Sequence, residues 1–309
     1  MQQLPMSRTR PPRGRRGFTM VELLIALVLL GLVSAALYRV LVNNQRLYTA
    51  QTQRIDLSQN IRAAGTILPA EFRELDASDG DIVAMSPTSI TIRAMRWLSF
   101  VCQAPALGGP NPLNMIIRGG QPGQMGFYGA RGIQTGTDSM LIYWDGDQTT
   151  RTDDYWPGGG FVSANAAVCP GNPAGQPGQL VSFNMNWAPI GALVANKAGA
   201  VPVGAPVRGW ERVTYSLFRP AGDTSWYVGF QPSGGTMQPL IGPVLTNGLS
   251  FQYFDVNGAV TGIRANVARI DITVRARTTN AVRRGGQARA AVAVDSILTS
   301  VAVRNNRRF

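Results

Sequence analysis

An apolar run of membrane length, broken by one carboxylate, constrains this chain more than any other feature. Residues Phe18 to Tyr38 carry no charge except Glu22. Twenty-one residues make about 31 Å of helix at 1.5 Å per residue, close to a hydrocarbon core of about 30 Å. A carboxylate inside such a helix costs on the order of 2.5–3.5 kcal/mol near the bilayer centre. It is tolerable where the charge finds a partner. Ahead of the run lie Arg8, Arg10, Arg13, Arg15 and Arg16, with no acid among residues 1–17. Arginines on the N-terminal side keep that end in the cytoplasm and send the remainder across. Arg39 closes the far end and can snorkel to the headgroups.

Two plainer readings compete. One is a secretory signal with a cleavage site at Val33-Ser34-Ala35, and the other is an ordinary single-pass anchor. Neither gives Glu22 a purpose. The string Arg15-Arg16-Gly17-Phe18-Thr19-Met20-Val21-Glu22-Leu23-Leu24 resembles the processing site of type IV prepilins. That resemblance implies cleavage between Gly17 and Phe18 by a prepilin peptidase and N-methylation of the new Phe18 terminus. Glu22 then lies four residues on, about 6 Å along the helix axis. It is placed to pair with the Phe18 amine of a neighbouring subunit, so that a wrong axial offset leaves two charges unpaired.

The full chain of 309 residues has a net charge of +12; losing the five leader arginines would leave 12 − 5 = +7. Lys197 is the only lysine, and there are no histidines. The usual zinc sites, histidine bases and catalytic triads are thereby excluded, and the chain reads as a non-enzyme without cofactor or small-molecule substrate. Cys102 and Cys169 lack CxxC neighbours. In an exported body they would join as a disulfide, worth about 4 kcal/mol in the chain-entropy model; two buried free thiols are the alternative.

Past the membrane-length run, apolar residues recur at Leu41, Leu47, Tyr48, Ile55, Ile61, Leu68, Phe72 and Leu75 among polar ones. This spacing predicts an amphipathic helix whose stripe holds a globular head. Gly65 and Pro69 predict a kink or break, and Asp79-Gly80 an end near Asp76. From Asp81 the period becomes two. Ile82–Met85 and Ile90–Met95 flank Pro87 as a hairpin. Further strands are expected at Leu141–Trp144, Val213–Phe218, Trp226–Phe230 and Leu249–Val256, the last running into a hairpin turn at Asn257-Gly258. Arg269–Arg277 alternates Ile270, Ile272, Val274 and Ala276 with polar residues, as an antiparallel strand with one wet face does. Ala290–Val303 reads as a final strand. From 104 to 209 the chain is rich in Gly, Pro, Asn and Gln and reads as long loops with two or three short strands.

Residues 249–277 and the ending Ser300-Val301-Ala302-Val303-Arg304-Asn305 look like the C-terminal half of PilW-like minor pilins and of pseudopilin J of type II secretion. The expected fold is therefore α+β: a long N-terminal helix packed on an antiparallel sheet. The expected divisions are a cleaved leader at 1–17, a filament-core helix at 18–42, an amphipathic helix at 43–78, and a sheet domain at 79–309 with its loop-rich insertion at 104–209. The resemblance implies an inner-membrane precursor, single-pass with its N-terminus in the cytoplasm. The mature subunit would join a periplasmic or extracellular filament with other pilin or pseudopilin subunits, of a type IV pilus or a type II secretion machine.

Two further clusters have a composition that suggests a ligand. Asp145, Asp147, Asp153 and Asp154 have the composition of a calcium site but not the spacing of an EF-hand; a solvated acidic turn is preferred. The arginines Arg264, Arg269, Arg275, Arg277, Arg283 and Arg284 could attract a DNA backbone, as in a DNA-capturing pilus subunit. The wet face of a sheet is the preferred account.

Overall fold

A computed structural model describes residues 17–105, 111–145, 155–171, 175–186, 201–282 and 289–303. The leader before Gly17, the tail after Val303, and Arg283, Arg284, Asp147, Asp153 and Asp154 lie outside the described residues. The chain forms two compact units, divided between Thr52 and Gln53. The division falls inside a single helix, α1, Met20–Arg73.

In the N-terminal unit, leucine, alanine and valine fill successive turns, and leucine and alanine lose little on entering a helix. Large apolar side chains from Phe18 to Tyr48 are exposed.

In the second unit, the last turns of α1 bury Leu57, Ala64, Leu68 and Phe72 at steps of seven, four and four. This is a narrower stripe than the sequence implied: Leu57 and Ala64 belong to it, whereas Leu41, Leu47, Tyr48 and Ile55 are exposed. Helix and sheet approach closely at Gly65, where a Cβ would lie 2.7 Å from Ile297 Cδ1. The expected break at Gly65 and Pro69 does not occur, since α1 runs through both. Pro69 crowds and leaves undonated the carbonyl four residues back, which is that of Gly65. Burial of Pro69 and its neighbours holds the turn regardless. The helix stops at Arg73, short of Asp76. There the Asp76 carboxylate accepts from the Ser78 N–H (3.0 Å), the Ser78 hydroxyl (2.6 Å) and the Asp79 N–H (3.1 Å). Such a side chain offers the backbone an alternative to helix.

Twelve strands follow among the described residues: β1 Ile82–Met85, β2 Ser89–Gln103, β3 Leu113–Arg118, β4 Tyr128–Gly129, β5 Asp138–Ile142, β6 Gly158–Val168, β7 Pro177–Met185, β8 Pro206–Phe218, β9 Trp226–Gln231, β10 Gln238–Phe254, β11 Arg269–Arg277 and β12 Val294–Ala302. Every pairing is antiparallel. The expected strands are present with shifted bounds: the one expected at Leu141–Trp144 ends at Ile142, the one at Leu249–Val256 begins at Gln238 and ends at Phe254, and the last narrows to Val294–Ala302. At Asn257-Gly258 the chain does turn, with Gly258 at φ 78°. It returns only as the bridge Phe254–Val260 before a short 3-10 turn at Arg264–Asn266. Its antiparallel partner is therefore β11, reached by a longer connection than a two-residue hairpin.

The middle of the chain corrects the expectation of loops. Pairings run β2–β3–β7–β6–β5–β8 and return from β8 to β2, so six strands close on themselves as a barrel. Closure removes sheet edges. Trp97, Val101, Met115, Ile117, Met140, Ile142, Phe183 and Val207 fill its core. The longest strand lying wholly within 104–209, β6, has no strand signal in sequence because it is mostly small residues. Gly158-Gly159-Gly160 opens β6 and is not turn material. A Cβ on Gly159 would meet Phe183 at 3.0 Å and the Asn184 carbonyl at 3.2 Å. Gly209 faces the Trp97 indole more tightly still, with 1.9 Å left for a Cβ. Beyond the barrel the sheet continues β8–β9–β10–β11–β12. Its inner face meets α1 through Phe72, edge-on to Tyr215 and Phe251 at 5.7 and 5.9 Å.

Candidate functional site

The N-terminus of α1 is built around Thr19. Thr19 stands just outside the helix, and its hydroxyl accepts the Glu22 N–H at 3.3 Å while its carbonyl accepts the Leu23 N–H at 3.1 Å. Thr19 and Glu22 therefore occupy the first and last places of a capping-box pattern, a signal present in the sequence. A carboxylate in the first turn also complements the helix dipole. Glu22 thus has a local role in addition to any role with a neighbour.

Phe18 is 81% exposed and Glu22 is also exposed. A Cβ on Gly17 would meet nothing within 4 Å. The fold therefore makes no steric demand for glycine at 17, and neither side of the Gly17–Phe18 junction is packed. α1 is long and apolar enough to cross a membrane by length and composition.

Cys102 and Cys169 are joined, with their Cα atoms 5.6 Å apart. The bond ties the end of β2 to the residue after β6, three strands away across one end of the barrel. The loop it closes contains β3, β4, β5 and β6, so it constrains the segment with the weakest strand signals.

The arginines of the C-terminal third are engaged by the protein itself. Arg264 donates through Nη1 to the Val83 carbonyl. Arg269 pairs with Asp271 at 3.2 Å and covers the Phe254 ring at 4.1 Å. Arg275 donates to the Asn247 carbonyl at 2.9 Å, and Arg277 to the Ser225 hydroxyl at 3.3 Å. Arg269, Arg275 and Arg277 share one face of β11, with Asp271 among them; Arg264 stands on the connection before it. Asp145 is described, but no group of three or more acidic, histidine or cysteine residues able to hold a metal occurs among the described residues.

A partly buried ionic chain that sequence reasoning did not find links α1 to the barrel. Arg96 Nη1 meets Glu71 at 2.9 Å, and its Nε meets Glu211 at 3.1 Å. Glu211 also meets Arg131 at 3.2 Å, and Arg131 meets Asp138 at 2.5 Å. Asp138 further accepts from Trp97 Nε1 and the Gln134 N–H, both at 3.0 Å. Burial opposes the charge on Arg96, yet Glu71 and Glu211 outweigh it and hold the guanidinium above its ordinary range. Near the end of α1, burial pushes Asp81 up to about 6, against the Asp76 N–H that donates to it. Contacts of this kind bring together residues 71, 96, 131, 138 and 211, and no local sequence pattern announces them.

Residues 12–38 match the family model for the prokaryotic N-terminal methylation motif. No curated protein and no solved structure matches the chain. The motif and the apolar helix that carries it are consistent with a type IV pilin-like protein and support a pilin or pseudopilin subunit. The sheet domain lies outside the matched residues.

Proposed function

We propose that the chain is a minor pilin or pseudopilin, a structural subunit of a type IV pilus or type II secretion filament. Its precursor spans the inner membrane once, with the arginine-rich leader in the cytoplasm. A prepilin peptidase cuts between Gly17 and Phe18 and the new terminus is methylated. The N-terminal helix then packs among those of other subunits, Glu22 pairing with a neighbour's Phe18 amine, and the sheet domain is displayed outward. The protein performs no catalysis.

The observation that carries this reading is the methylation motif placed at the start of an exposed apolar helix. Its geometry adds one support. Gly17 has open space around it, so a requirement for glycine there belongs to a processing enzyme and not to folding. Gly17→Val therefore separates the two. It should leave the sheet domain folded and block processing and filament incorporation together. Normal incorporation of unprocessed Gly17→Val would refute the reading. DNA capture through the C-terminal third is less supported, because Arg264, Arg269, Arg275 and Arg277 already serve contacts within the protein.

A further inference from the structure

The two ends of the open sheet are finished differently. β1 is four residues long, carries an irregularity between Ile82 and Ala84, and has its Val83 carbonyl capped by Arg264. Short, bulged and capped strands are the usual protection of an edge. β12 has nine residues paired in unbroken register with β11, from Arg269–Ala302 to Arg277–Val294. It contains neither proline nor lysine.

The parity of β12 is fixed by two hydrogen bonds. The Val303 N–H donates inward to the Ala268 carbonyl, so odd-numbered residues bond toward β11. The Ser296 N–H instead meets the Asp295 carboxylate at 2.8 Å, so even-numbered residues turn their backbone groups outward. Val294, Ser296, Leu298, Ser300 and Ala302 thus form an outward row. Beyond the Ser296 N–H, no partner for that row occurs among the described residues. The even side chains lie on the face away from α1, where Leu298 is 65% and Val294 44% exposed. The odd ones face α1, as Ile297 does at Gly65. Between this edge and the helix lies a groove of about 450 Å³ lined by Arg54, Leu57, Ser58, Ala293, Val294 and Asp295. Arg54 is exposed and makes no ion pair among the described residues.

We propose that β12 receives a strand from a different subunit of the same filament. The donor is an extended, proline-free segment of at least five residues. Main-chain hydrogen bonds to the outward row supply the attachment, and alternate side chains supply the selectivity. One face of the donor carries an aliphatic residue over Leu298; the other carries a carboxylate that reaches Arg54. A second copy is the obvious rival, because β12 is nearly symmetric about Leu298, with Ser296 opposite Ser300 and Val294 opposite Ala302 in an antiparallel pair. Such a pair has its two-fold axis perpendicular to the sheet. Residues 53–73 of the two copies would then run in opposite directions, whereas the subunits of one filament enter it in the same orientation. The capped β1 edge excludes head-to-tail pairing of copies.

The inference rests on the filament role proposed above, and the test separates the two. Amide exchange is measured on the full processed chain, in detergent and in purified filaments. The Leu298, Ser300 and Ala302 amides should slow by about tenfold or more on assembly, while those of Ile297, Thr299 and Val301 are protected in both states. A chain present in filaments with fast outward amides overturns the strand proposal alone. A chain absent from filaments overturns the filament role, and this inference with it. Ser300→Pro removes an outward donor without touching the β11 ladder; it should fold and fail to incorporate, and normal incorporation contradicts the proposal. Leu298→Cys should form no disulfide-linked homodimer; such a dimer would assign the edge to a second copy.

Discussion

Replacing Asp138 by alanine should destabilise the barrel more than any other single change to a polar residue described here. The Asp138 side chain is fully buried. It receives two bonds from Arg131, one from the Trp97 indole and one from the Gln134 backbone. Truncation leaves the Trp97 N–H, itself in the barrel core, without an acceptor, which costs about 1–3 kcal/mol. It also leaves Arg131 with Glu211 alone, and breaking a buried pair from one side costs about 3–5 kcal/mol. The two costs overlap, so about 4 kcal/mol is expected. Urea unfolding of the full chain in detergent, followed by tryptophan fluorescence, measures it. Arg131→Met should also be costly, because it leaves the fully buried Asp138 carboxylate without its cationic partner. In the double variant the two effects should be non-additive by at least about 1 kcal/mol, as for residues in one network. A cost for Asp138→Ala below about 1 kcal/mol, or simple additivity, would refute the argument that this chain of charges ties the barrel together.

Three other outcomes follow from the geometry. Glu22→Ala should be processed normally yet fail to enter filaments, since the loss of one first-turn carboxylate costs the helix only about 0.3–1 kcal/mol; immunodetection in sheared filaments decides. Cys102→Ser with Cys169→Ser should lower stability by about 4 kcal/mol on the chain-entropy model, read as the urea midpoint under non-reducing conditions; an unchanged midpoint would count against the barrel as the element it constrains. Asp81 has a folded pKa of about 6 above its ordinary 3.8, so it contributes stability below about pH 4 that is lost as pH rises through about 6, about 3 kcal/mol in all. Asp81→Asn should therefore match wild type near pH 4 and exceed it at pH 7 in thermal unfolding; a difference independent of pH would contradict this.

Elements with a strong period were legible from sequence. Arg269–Arg277 alternates so cleanly that its buried set, Ile270, Ile272, Val274 and Ala276, could be named residue by residue. The helix was visible for the same reason, but its end was set by the Asp76 side chain and not by its apolar stripe. The barrel was hidden because β6 reads Gly-Gly-Gly-Phe-Val-Ser-Ala-Asn-Ala-Ala-Val. Of its glycines, Gly159 is dictated by close approach of Phe183 and Asn184, and contacts between strands far apart in sequence leave no local trace. The N-terminal methylation motif was legible because it is carried by contiguous residues. The ionic chain from Glu71 to Asp138 was not, because each member sits on a different element.

The central claim is that Gly17–Phe18 is the junction at which a membrane precursor becomes a filament subunit. Intact-mass and N-terminal fragment analysis of the protein from its native membrane tests it most directly. The predicted chain begins at Phe18 and carries one added methyl group on its amine. A chain beginning at Ala36, or one still retaining Met1 and the arginine-rich leader, would contradict it.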